Sequence, residues 1–104
     1  MIYVNTETIH GREIIESLGV VRGSTVRARN FGSDIFAGLK NIVGGEISEY
    51  TKLMADTREQ SIKRMLDDAK RLGADAVINV RFTTAQVMQG ASEIMAYGTA
   101  VRLS

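Results

Sequence analysis

Apolar positions recur along the chain with two different periods, and the change of period divides it into elements. IYVN (2–5) is a short β-prone start, and GREIIESLGVVRGSTVRA (11–28) is rich in β-branched residues interrupted by Gly19 and Gly23. The second stretch reads as a strand pair or one bent strand, with those glycines at turns or bulges. Ser33 or Asp34 can then cap a short helix whose apolar face holds Ile35, Leu39 and Ile42 with Val43 alongside, and Gly44 and Gly45 would stop it.

The strongest periodic signal follows. From Ile47, the positions Tyr50, Met54, Ser61, Ile62, Met65, Ala69 and Leu72 keep three- and four-residue steps, with Gly73 placed to cap the C-terminus. The pattern predicts one helix of about 26 residues, roughly 39 Å long at the α-helical rise. Glu59 with Lys63 and Asp67 with Arg71 stand in the acid-first i,i+4 order, each pair contributing about 0.2 to 0.5 kcal/mol. Glu46 and Glu49 near the start, and Lys70 and Arg71 near the end, suit the helix dipole.

Beyond Gly73 the period changes to two. AVINVRFTTAQVM (76–88) places Ile78, Val80 and Phe82 on one face and Asn79, Arg81 and Thr83 on the other. After a turn around Gln89 and Gly90, SEIMAYGTAVRL puts Met95, Tyr97, Val101 and Leu103 on one face, with Ile94, Ala96, Gly98 and Ala100 opposite. The two strands are expected to form an antiparallel hairpin whose bulky face packs on the long helix. The small apolar face of the last strand suits close approach of another backbone or sheet, and a small sheet has edges to cover. Both features point to a homo-oligomer. The predicted class is α+β, a single two-layer domain over 1–104 in which an antiparallel sheet carries one long helix and a short one.

Composition narrows the function classes more than it names one. A chain of 104 residues with 44% hydrophobic and 24% charged side chains is an ordinary globular domain with no room for a separate catalytic module. Thirteen basic against 12 acidic side chains leave a net charge of +1, which gives no global field for nucleic acid or an anionic membrane. No apolar run approaches the roughly 18 residues of a membrane span, and MIYVNTETIH lacks a signal-peptide layout, so a cytoplasmic location is expected.

There is no cysteine, which removes disulfides, thiolate nucleophiles and sulfur-based soft-metal sites. His10 is the single histidine, so a Ser-His-Asp arrangement depends on it, and no GxSxG elbow accompanies it. No nucleophile and base pair at motif spacing is present, and an enzyme is not expected. The glycines of NFGSDIFAGLKNIVGGEISEYTKL (30–53) do not make a phosphate loop. Glu46 follows Gly44 and Gly45 where a Walker loop needs Lys, and GxGxxG spacing is absent.

Taken together, FAGLKNIVGGEISEYTKL, the helix-to-strand run RMLDDAKRLGADAVINVRF and the ending AYGTAV resemble the YbjQ-like family of small bacterial and archaeal proteins, some of which carry a "putative heavy-metal-binding" label. The resemblance covers nearly the whole chain. It implies a dodecin-subunit-like β-α-β-β core that assembles into a closed ring, typically a homopentamer. Thiol-based capture of a soft metal does not transfer to a chain without cysteine, so no thiolate-dependent metal is expected.

Three groups of residues are candidate sites. His10 beside Glu7 and Glu13 offers one imidazole with carboxylates, enough for a weak divalent metal site if subunits pool ligands; the competing reading is a surface-loop histidine. Methionines 54, 65, 88 and 95 read as core filling before thioether ligands. Arg81, with Arg27 and Arg29, is placed to pair across a subunit boundary or to hold an anion. The resulting expectation is a ring-forming small protein binding a metal ion or small ligand at subunit interfaces. The alternative is an oligomeric scaffold that presents its charged helix faces to a protein partner.

Overall fold

The computed structural model describes residues 1–27 and 48–104. Within them the order is β1 (Ile2–Tyr3), β2 (Ile14–Arg27), α1 (Ser48–Arg71), β3 (Ala76–Met88) and β4 (Ala91–Leu103). The strands form one sheet in the order β1-β3-β4-β2, on which α1 lies as a second layer. β2 and β3 each pair antiparallel with β4, while β1 joins β3 in parallel, so the sheet is mixed rather than wholly antiparallel. The α+β two-layer class is as expected. The short helix expected near residues 33–43 lies outside the described residues, as does Glu46.

The long helix ends where Gly73 allows it to. Gly73 adopts φ 78°, its N–H donates to Lys70 O at 3.0 Å, and Ala74 N–H reaches back to Ala69 O at 3.1 Å. These two bonds satisfy carbonyls that the helix itself leaves unpaired, in the pattern of a left-handed glycine cap. The ion pairs regroup relative to the acid-first expectation. Lys63 meets Asp67 at 3.5 Å and Arg71 meets Asp68 at 2.6 Å. Asp68 is favoured because the Arg22 backbone N–H also donates to it, at 3.4 Å, which ties the helix to the sheet edge.

The face of the sheet that meets the helix is the reverse of the expected one. Ala96 and Ala100, from the small face of β4, pack with Val21, Val77, Val80 and the helix residues Met65 and Ala69. The bulky face sends Val101 and Leu103 to a second cluster with Ala76 and Ile78, which Val4, Ile9 and Ile14 cover. Gly23 supplies the reason. A Cβ there would run into the backbone of Ser61 and Met65. The helix backbone therefore rests almost directly on β2, and only small residues fit beneath it. The close approach read from Ala96, Gly98 and Ala100 is made within this chain, by the helix over Ala96 and Ala100 and by β3 against Gly98, so those residues carry no argument for a second copy.

Two further local expectations change for related reasons. Residues 14–27 form one strand, with Gly19 (φ 111°) beside a register shift, while Gly23 sits mid-strand and serves close packing rather than a turn. In β3 the register shifts between Ile78 and Arg81, and Asn79 takes φ 54°. Asn tolerates this left-handed conformation better than β-branched neighbours would. The extra residue reverses the alternation, so Ile78 faces away from the helix while Val80 faces toward it.

A buried polar knot fixes the helix position. Ser61 Oγ lies 2.9 Å from Thr25 Oγ1, 2.9 Å from Ile94 O and 3.1 Å from Thr57 O. One hydroxyl proton cannot serve three acceptors, so Thr25 donates to Ser61 while Ser61 donates toward the carbonyls. Among the described residues, no buried side-chain N or O is left without a partner. Loss of such a bond exposes the full desolvation cost of the partner left behind.

Candidate functional site

The candidate site grows out of the Asn79 bulge. With Asn79 left-handed, two successive N–H groups point the same way: Asn79 N–H donates to Thr6 O and Val80 N–H to Val4 O, each at 3.0 Å. The N-terminal segment is thereby stitched to β3 just past the end of β1. Between Tyr3–Thr6 on one side and Val80–Phe82 on the other lies an open groove of about 620 Å³. Val80 is nearly buried, whereas the rings of Tyr3 and Phe82 are 42% and 43% exposed.

Arg81 stands at the groove with two of its five N–H donors already committed. Its Nη1 donates to Asn5 O at 2.7 Å and to Val80 O at 3.0 Å. Among the described residues Arg81 enters no ion pair. The guanidinium is thus held by two carbonyls of this chain, with Nε–H and the Nη2 protons on its other edge. In the sheet, Tyr97 of β4 lies opposite Arg81 on one side and Arg22 on the other.

The other sequence candidates fall elsewhere. His10 sits in a tight turn closed by Arg12 N–H to Ile9 O at 3.1 Å, with Gly11 at φ 79°. Glu7, His10 and Glu13 are all exposed. Among the described residues, no three His, Cys, Asp or Glu side chains gather closely enough to hold a metal ion. Arg27 ends β2 and its side chain lies outside the described atoms, and Arg29 lies outside the described residues. Met65 is fully buried in the core, while Met88 is exposed at the hairpin tip.

Asp68 is held below its ordinary range. The hydrogen bond from Arg71 holds its carboxyl below the usual carboxylate value, partial burial opposes this, and the Arg22 N–H adds to the lowering. That is a structural anchor between helix and sheet rather than an acid or base poised for chemistry.

Sequence reasoning singled out Arg81 but missed the groove, because its two sides are some 75 positions apart along the chain. Asn79 was the available signal. An Asn inside a run of β-branched residues is disfavoured in a regular strand and tolerated at a bulge.

The fold and groove define a small two-layer α+β protein with an open aromatic and cationic recess and no catalytic constellation among the described residues. A family model described as "Putative heavy-metal-binding" matches residues 1–104, and the chain belongs to this YbjQ-like family. It is 62% identical over 103 residues to a UPF0145 protein of Archaeoglobus fulgidus, covering 99% of this chain and 95% of that one. A UPF0145 protein of Vibrio campbellii is 56% identical over 103 residues, covering 99% of each chain. A crystal structure from Pediococcus pentosaceus, of a protein of unknown function in the DUF74 family, superposes with a TM-score of 0.64. At 14% identity over 100% of this chain and 98% of that one, it supports the fold alone.

The donor set does not fit the soft metal that the family description suggests. The chain has no cysteine and one histidine, and its described carboxylates do not cluster. Among the described residues no helix is long and apolar enough to cross a membrane.

Proposed function

We propose that the protein is a self-associating, non-enzymatic binding module, in which a second copy covers the outer edge of β3 and assembly builds a closed ring. One observation carries this reading. β1 pairs with β3 only at Ala76 and Val77, and the N-terminal segment adds bonds as far as Val80. Beyond that point FTTAQVM (82–88) is exposed, bears no charge and contains no proline. Natural edges are normally blunted by charge, proline, bulges or a cover, and this one lacks the first two along seven residues. Val87 and Met88 are 53% and 66% exposed beside it, and a second copy of the same chain is a partner always present at matching concentration.

In this reading a metal or small ligand is held where copies meet, with Glu7, His10 and Glu13 as ligands pooled around the ring and Arg27, Arg29 and Arg81 at the contacts. The module is a cytoplasmic one. The experiment is light scattering on size-fractionated wild type and the T84K/Q86K variant. The wild type is expected to run at a multiple of 11.4 kDa and the charged-edge variant at a lower mass. A variant with unchanged mass would place the contact elsewhere and remove this reading.

A further inference from the structure

We propose that the groove between the N-terminal segment and β3 binds a small planar aromatic anion, a ring system bearing a carboxylate or phosphate. The inference takes from the proposed function only the claim that the protein binds a ligand. It does not need assembly, because both walls of the groove come from one chain. Three features on those walls define the ligand.

The first is apolar area of the right kind. Val80, 8% exposed, lines the groove together with the half-exposed rings of Tyr3 and Phe82, and aromatic rings prefer stacked or edge-on aromatic partners. Water against those rings is released when a flat ring system replaces it. A volume near 620 Å³ is in the usual range for small-ligand sites.

The second is a cation fixed before the ligand arrives. The bonds from Arg81 Nη1 to the Asn5 and Val80 carbonyls hold the guanidinium in place. Its remaining edge, Nε–H with Nη2–H, is the fork that meets two oxygens of a carboxylate or phosphate side by side. Less rotamer entropy is then lost on binding than for a freely moving arginine.

The third is charge complementarity. None of the residues lining the groove is acidic, and among the described residues no ion pair neutralises Arg81. A neutral ring would leave that charge without a partner. The Asn79 bulge is what brings the features together, since it reverses the alternation in β3 and draws the N-terminal segment against the strand.

The test is an NMR titration of the intact chain with 2-naphthoate, 2-naphthyl phosphate and the neutral 2-naphthylmethanol. The expected result is that the anions shift the amides of residues 3–6 and 80–82 and bind at least about tenfold more tightly than the alcohol. Arg81→Gln should bring the anions down to the affinity of the alcohol, and Phe82→Thr should weaken all three. A preference between the two anions would assign the head group. Equal affinity for anion and alcohol, anion binding unchanged in Arg81→Gln, or shifts confined to other residues would overturn the proposal. A chain that assembles while its groove amides stay still contradicts this inference alone; a monomer whose groove amides move contradicts the assembly alone.

Discussion

Strand β3 passes through two environments, and the contrast between them organises the molecule. From Ala76 to Val80 it is buried or half-buried, between the helix layer on one face and the N-terminal segment on the other. From Arg81 to Met88 every residue is exposed, although the strand continues along β4 with one register shift between Gln86 and Met88. The inner half is closed, with Val77 and Val80 in the core beneath the helix and Ala76 and Ile78 in the cluster covered by the N-terminal segment. The outer half is built to the same β geometry, but beyond the groove at Arg81 and Phe82 no described strand pairs with its outer edge. One half therefore supplies stability, and the other supplies surface.

Substitutions should separate the packed helix–sheet layer from the exposed outer half of β3. The largest effect is expected for Gly23→Ala, because the added Cβ meets helix backbone, which cannot rotate aside. The cost should reach or exceed the ~3 kcal/mol upper end of ordinary overpacking, read as a shift in the denaturant midpoint. Ser61→Ala comes next. It leaves the buried Thr25 hydroxyl and the Ile94 carbonyl short of a partner, at a cost of about 1 to 3 kcal/mol in the same measurement.

Asn79→Val tests the boundary between the halves. A β-branched residue at φ 54° should lose roughly 1 to 2 kcal/mol and disturb the groove amides, whereas Asn79→Gly should keep both. In the outer half, Val87→Thr should move the midpoint by less than about 0.5 kcal/mol, as surface substitutions do. A large loss of monomer stability there would break the contrast.

The smallest effect concerns pH. Because the Arg71 hydrogen bond lowers the folded Asp68 carboxyl below its unfolded value, its contribution is present at neutral pH. It should fade as pH falls from the ordinary carboxylate range through the lower folded value. Asp68→Asn should flatten that part of an acid-unfolding curve by less than about 1 kcal/mol, since the pair is partly solvated.

Much of this fold was legible in the sequence, for identifiable reasons. The helix was readable because its three- and four-residue steps hold over six turns and Gly73 marks the end. The hairpin was readable from alternation around Gln89 and Gly90. Which face meets the helix was not readable, because alternation records two faces without saying which neighbour each receives. Bulk suggested Met95 and Tyr97, yet a helix lying close to the strands needs Ala96 and Ala100. Likewise, Gly23 in a β-rich run has the same sequence signature whether it turns the chain or admits a neighbouring backbone. Arg81 was legible as a candidate, but its partners Asn5 and Tyr3 come from a segment whose position depends on one bulge.

The central claim is that the exposed outer half is contact surface, completed by other copies of the chain. Native mass spectrometry of the wild-type protein at micromolar concentration tests it most directly. The account predicts a discrete multiple of the 11.4 kDa chain, while a clean monomer would contradict it.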